Sequence, residues 1–156
     1  MAPKWTQFVT AAFVHANWDH LFSNAFSLLV FGRMVEEEEG AFGLWVTYLV
    51  CGVAGNVASY LSAPGQAVVS LGASSAVFGL FAVGVLTKIR LDFRRLLESV
   101  VLGAFVYRQL AAEVGLAVSG GAQVGGMQVG HIAHMGGALG GVLLVLLLSR
   151  LPKVDS

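Results

Sequence analysis

The chain has 156 residues, of which 56% are hydrophobic and 12% charged, and its mean hydropathy is +0.78. Soluble domains carry about 25% charged residues, so water is excluded as the main solvent. Nine basic and nine acidic residues cancel, which leaves no global field to draw in nucleic acid or an acidic ligand.

In chain order, the first twenty residues do not read as a signal peptide, because His15, Asn17 and Asp19 interrupt the apolar run. No transit peptide is visible either. A membrane helix needs about 20 largely apolar residues, and runs of that kind predict five spans, at 18–35, 41–61, 71–87, 96–118 and 130–148. The fourth carries Arg108, Gln109 and Glu113, which are costly in lipid and are expected to face the bundle or the interface. Cys51 is the single cysteine and forms no internal disulfide; a small core residue is its expected role. No internal repeat is evident, so the expectation is an all-α membrane protein, a polytopic transmembrane helix bundle forming one domain over residues 1–156.

Charge falls unevenly between the spans. Arg33, Lys88, Arg90, Arg94, Arg95, Arg150 and Lys153, seven of the nine basic residues, lie at one face, while the loops at 62–70 and 119–129 carry no charge. By the positive-inside rule the basic face is the cytosol-equivalent side and the neutral loops face the translocated side.

Polar groups inside hydrophobic spans are candidates for function, since each costs a few kcal/mol unless partnered or wet. His15, His20 and Asn24 lie at or near the start of the first span, Ser74 and Ser75 near the start of the third, and His131 and His134 near the start of the fifth. Odd-numbered spans run in one direction, so all three starts share a side. At 1.5 Å per residue, Ser74 is expected about 5 Å inside its span, His134 about 6 Å and Asn24 about 9 Å. His20 and Asn24 are four apart and share a helix face. Gly136 with Gly140 and Gly137 with Gly141 make small-residue faces below His134, where a helix carrying Gly79 packs closely and brings Ser74 towards His134. Taken singly, such residues have plainer roles: a membrane serine bonds its own backbone, an interfacial histidine snorkels, a glycine pair packs helices. Their convergence at one depth is the signal.

These residues resemble the rhomboid intramembrane proteases. His15, His20 and Asn24 fit the family's HxxxxHxxxN; Gly72, Ala73 and Ser74 fit its GxS; Ala133, His134, Gly137 and Gly141 fit its AHxxGxxxG. The resemblance covers most of the chain, and the stretch 15–43 is most similar to the rhomboid-like proteins of plant and algal plastids, which implies a plastid envelope as one location. It implies a Ser-His dyad with Ser74 as nucleophile and His134 as general base, His20 and Asn24 donating to the oxyanion together with the Ser74 backbone N–H, Phe78 packed on the His134 ring, and His15 in a structural role. It implies transmembrane protein substrates within the lipid bilayer, no cofactor, no metal and no nucleic acid. Family members usually have six or more spans, so the family's first span is expected to be missing from these 156 residues. The chain also reads Trp5-Thr6 where the family often has Trp-Arg, and Ser75 stands where glycine is commoner.

Two other functions compete. A catalytically inactive rhomboid-like protein that binds membrane helices predicts loss of Ser74 or His134, and both are present. A metal site on His15, His20, His131 and His134 lacks accompanying acidic residues in the spans apart from Asp19, and has no HExxH pattern. Asp19 is expected to point away from the face of His20 and Asn24, since adjacent helical residues diverge by about 100°.

Overall fold

The computed structural model describes residues 4–62, 73–88, 104 and 130–150; the expected span 96–118, the loops at 63–70 and 119–129, and Gly72 lie outside the described residues, position 104 apart. Among the described residues the structure is all helical. A short helix α1 (Trp5–Thr10) continues into a 3-10 turn at Ala11–Phe13. Helix α2 (Trp18–Ser27) passes through a π-turn at Leu28–Gly32 into α3 (Arg33–Ser62), and α4 (Ser74–Lys88) and α5 (Gly130–Leu148) follow.

The stretch Trp18–Ser62 is helical over 45 residues apart from a kink at Gly40 and contains a window of mean hydropathy 1.5. At 1.5 Å per residue a straight helix of that length reaches roughly twice the ~30 Å of a bilayer core. It folds back instead at Gly40, which has φ 73° and ψ 174°, a conformation that costs glycine little and other residues much. Leu44, just after the bend, lies against the position of Gly32 before it. Two membrane-length helices therefore meet at Gly40. The first helix runs on past the expected span end at 35 to the bend: the charged Glu36–Glu39 run, expected as a gap between spans, keeps a helical backbone. Arg33 donates to Glu37 Oε1 at 3.0 Å on this exposed surface, an i,i+4 pair that suits a helix leaving lipid.

Packing fixes the directions. Phe31 and Phe81 meet edge to face at 5.1 Å and Met34 lies beside Gly84, so α2 and α4 advance together. Ser75 lies against Gly137 and Gly79 against Gly141, so α4 and α5 also run parallel; Gly55 faces Ser75 while Cys51 faces Gly79, so the second half of α3 runs antiparallel to both. Small residues make this three-helix contact. A Cβ on Gly137 would collide with the Ser75 carbonyl, one on Gly141 would lie 2.7 Å from the Gly79 carbonyl oxygen, and one on Gly136 2.6 Å from Ala58 Cβ. Backbones this close gain van der Waals contact that no larger side chain permits.

The core is Phe31, Val35, Tyr48, Cys51, Ala76 and Leu80. Outward, Trp18, Phe22 and Phe26 of α2, Leu29 of the π-turn, and Met135, Leu139 and Leu143 of α5 are exposed. Apolar stripes of this size are foreign to a water-soluble surface and match a lipid-facing one.

Candidate functional site

Helices α2, α4 and α5 begin at the same end of the bundle, and each carries its polar residues there. Asn24 precedes Phe31 by seven residues and Ser74 precedes Phe81 by seven; since Phe31 and Phe81 touch and their helices are parallel, Asn24 and Ser74 stand at nearly the same height.

Ser74 is the first residue of α4. The expected span starts at 71, and the helix starts at Ser74 itself. Ala73 accepts the first intrahelical bond, from the Val77 N–H at 2.9 Å, so the N–H groups of Ser74 to Ala76 have no intrahelical acceptor and point out of the helix start with its positive dipole end. Ser74 is partly buried, whereas Ser75 is 2% exposed and pressed between Gly55 of α3 and Gly137 of α5. Of the two serines, Ser75 faces the helix interface.

One turn after Ser74, Phe78 stacks on His134, with ring centroids 4.7 Å apart and planes 24° apart. Residues four apart share a helix face, so the face of α4 that carries Ser74 is turned to His134. His134 is 6% exposed and lies near the start of α5, one turn before Gly137, whose missing side chain admits the Ser75 backbone. The close approach and the imidazole's position are thus set by the same turn of α5.

On α2, Asn17 caps the helix, its side chain accepting from the His20 N–H at 2.8 Å, and Asp19 is exposed in the first turn, where a carboxylate suits the dipole. Asn17 was not singled out as a cap from sequence, although Asn before an apolar helix is a recognisable start signal. His20 Nδ1 accepts from the Ala16 N–H at 3.5 Å; a neutral imidazole accepting at Nδ1 carries its proton at Nε2. Asn24 is 7% exposed and donates through Nδ2 to the His20 carbonyl at 2.9 Å, a bond that uses one of its two amide hydrogens. His15 lies outside α2, its ring edge-on to His20 at 5.2 Å. Its Nε2 is buried without a hydrogen-bond partner. Burial, and then the neighbouring His20, hold the His15 pKa below the usual histidine value, with the Phe13 carbonyl opposing.

The structure stacks Phe78 of α4 on His134 of α5, with Ser74 one turn before Phe78, and gathers His15, His20 and Asn24 on and beside α2, which contacts α4. Gly72 lies outside the described residues. Among the described residues no group of three or more His, Cys, Asp or Glu gathers as a metal site.

A polytopic helical membrane protein with this polar cluster at one end of the bundle is the class that fold and site define. The Rhomboid domain family matches residues 2–151, and the chain belongs to the rhomboid family. It is 54% identical to Rhomboid-like protein 11, chloroplastic, of Arabidopsis thaliana over 98% of this chain and 56% of that protein. It is 29% identical to Rhomboid protease GluP of Bacillus subtilis over 98% of this chain and 28% of that protein, and 34% identical to the putative rhomboid protease YdcA of the same organism over 51% of this chain and 40% of that protein. The chain spans about half or less of the length of these relatives. No solved structure matches. Family membership makes the chain an integral, multi-pass membrane protein.

Proposed function

We propose that this protein is an intramembrane serine endopeptidase acting on single-pass membrane proteins, with Ser74 as nucleophile and His134 as general base. The observation that carries this reading is the Phe78 ring on His134, which turns the Ser74 face of α4 to the imidazole. A serine hydroxyl is a weak nucleophile until a base takes its proton, and an imidazole suits that exchange near neutrality. Ser74 Oγ attacks the scissile carbonyl carbon and its proton passes to His134. The carbonyl oxygen becomes an oxyanion, which accepts from the Ser74 N–H at the start of α4, from His20 Nε2 and from the second amide hydrogen of Asn24. Such donors each contribute about 3 kcal/mol to the transition state. His134 then protonates the leaving amine, and water hydrolyses the acyl-enzyme by the reverse sequence. The start of α4 lies at the end of the bundle, so water reaches the ester without crossing the bilayer. The peptide at the scissile bond must be unwound, because a helical carbonyl is already hydrogen-bonded, and small or helix-breaking residues lower that cost. The likeness to a chloroplastic relative supports a plastid membrane as its location.

The test is the purified protein in liposomes with a single-pass model substrate. Cleavage is expected, with covalent labelling by a fluorophosphonate or an isocoumarin, and both are lost in Ser74→Ala and His134→Ala. Binding of the substrate without cleavage or labelling would instead assign the non-catalytic role of holding membrane helices. Cleavage that survives His134→Ala would end the dyad.

A further inference from the structure

The polar residues of α3 are not used by the reaction, yet several of them, Tyr48 and Asn56 included, are buried. Tyr48, Gly52, Asn56 and Tyr60 recur every four residues, so they form one stripe along the second half of α3. Every member touches the same partner, the N-terminal segment. Tyr48 OH donates to the Ala12 carbonyl at 3.0 Å, in a buried bond between residues 36 apart in sequence. Asn56 Nδ2 donates to the Phe8 carbonyl at 2.7 Å. The Phe8 ring meets Tyr60 edge to face at 5.8 Å, and Phe13 lies on Tyr48 at 5.7 Å. At Gly52 the stripe is hollow: a Cβ built there would lie 3.6 Å from Ala12 Cβ, so Ala12 is seated in the gap and buried.

We infer that this stripe is a docking rail for residues 5–13 and that Tyr48 and Asn56 are positioning residues for the site. The segment does not hold itself in place: α1 has six residues and buries none of them, too short to be a stable helix alone. Buried hydrogen bonds to its carbonyls supply the order it lacks. The docked end then leads directly to the site. His15 follows Ala12 by three residues and packs on His20, and Asn17 caps α2 on the His20 N–H. Fixing Ala12 on α3 therefore fixes where α2 begins and where His20 presents its ring. The docking stands on geometry alone; its effect on cleavage rests on the protease reading.

The geometry supplies its own test, because a Cβ separation of 3.6 Å suits a disulfide. Ala12→Cys with Gly52→Cys is expected to cross-link on oxidation, whereas either single substitution is not. Tyr48→Phe keeps the ring and removes only the bond. It is expected to speed amide hydrogen exchange over residues 18–24 and to lower kcat about tenfold with KM changed by less than about twofold. In the protein carrying Tyr48→Phe and both cysteines, oxidation is expected to restore slow exchange and kcat, and reduction to remove both again. Absence of the cross-link, or unchanged exchange in Tyr48→Phe and in Asn56→Ala, would overturn the rail. Slowed exchange on oxidation without recovery of kcat would overturn the positioning role. If the unsubstituted protein neither cleaves nor takes a serine-directed label, the protease reading fails, while cross-linking and exchange still decide whether the segment is docked and orders α2.

Discussion

Phe78 and His134 stack with centroids 4.7 Å apart and an interplanar angle of 24°, and this one contact ties the orientation of the imidazole to the helix that carries Ser74. An aromatic pair of this kind is worth about 0.5–1.5 kcal/mol beyond its buried area. Phe78→Ala is expected to lower kcat about tenfold, since a freed imidazole spends less time aligned with Ser74 Oγ. Phe78→Tyr keeps the ring and is expected to retain most of the rate. Steady-state cleavage with both variants checks this, and equal loss in the two would show that the ring is not the element that matters.

Glycine substitutions separate close approach from backbone strain. At Gly137 a methyl meets the Ser75 carbonyl, and backbone cannot step aside as a side chain can, so Gly137→Ala is expected to cost about 1–3 kcal/mol. At Gly40 nothing lies within 4 Å, yet φ is 73° with ψ 174°, and Gly40→Ala is expected to cost about 1–3 kcal/mol through conformation alone. At Gly52 the nearest atoms would be 3.5 and 3.6 Å away, ordinary contact distances, and Gly52→Ala is expected to be tolerated. Thermal unfolding in detergent ranks the three.

The two serines make a second contrast. Ser75 is enclosed by Gly55 and Gly137, so Ser75→Ala is expected to leave cleavage within about threefold, and the larger Ser75→Val to unfold the protein by overpacking. Ser74→Ala is expected to fold normally and cleave nothing. Activity kept in Ser74→Ala and lost in Ser75→Ala would exchange their roles.

What the sequence made legible, and what it hid, follows from which physical signals are local. The helix starts at Trp18 and Gly130 and the small faces at Gly136, Gly137, Gly140 and Gly141 could be read, because lipid imposes a length and close packing imposes residue size. The unbroken helix across Glu36–Glu39 could not, since hydropathy reports the solvent of a segment and not whether its backbone stays hydrogen-bonded. The start of α4 at Ser74 has no mark in hydropathy for the same reason: Leu71 is as apolar as the helix that follows. Helix α1 is too short for a search by span length, and the signal that points to it lies on its partner, in the four-residue recurrence of Tyr48, Gly52, Asn56 and Tyr60. The π-turn at Leu28–Gly32 has no residue signature in the sequence.

Acid should loosen the His15 region. The folded protein holds the His15 pKa below the 6.5 of an unfolded histidine, so the unfolded chain binds the proton more readily. The stability from keeping His15 neutral is fully present above about pH 6.5 and is lost as pH falls towards the lowered folded value. His20, beside it, repels the His15 cation, and exposed Asp19 is the nearest acidic residue in sequence. The thermal midpoint is expected to fall between about pH 7 and pH 5 more steeply in the unsubstituted protein than in His15→Gln, which cannot titrate. Parallel slopes would place the acid sensitivity elsewhere.

The orientation of the bundle follows from joining the charge pattern to the helix directions. Contacts at Phe31 with Phe81, and at Ser75 and Gly79 with Gly137 and Gly141, make α2, α4 and α5 parallel, so Asn17, Ser74 and Gly130 share one end and Gly40, Lys88 and Arg150 the other. Among the described residues Arg33, Lys88 and Arg150 stand at that second end, and basic loops stay on the cytosol-equivalent side. A cysteine placed at Asn17 and one placed at Glu38 are therefore expected to react with a membrane-impermeant maleimide from opposite sides of sealed vesicles. Buried Cys51 should contribute little background, because its thiol is enclosed against Gly79. The Glu38 position should be protected whenever the Asn17 position is labelled, and both should react once detergent opens the vesicles. Labelling of both positions from one side would break the hairpin at Gly40. Labelling from opposite sides with Glu38 facing the translocated compartment would keep the fold and invert it, moving the Ser74 end, and any cleavage of substrates, to the other face of the membrane.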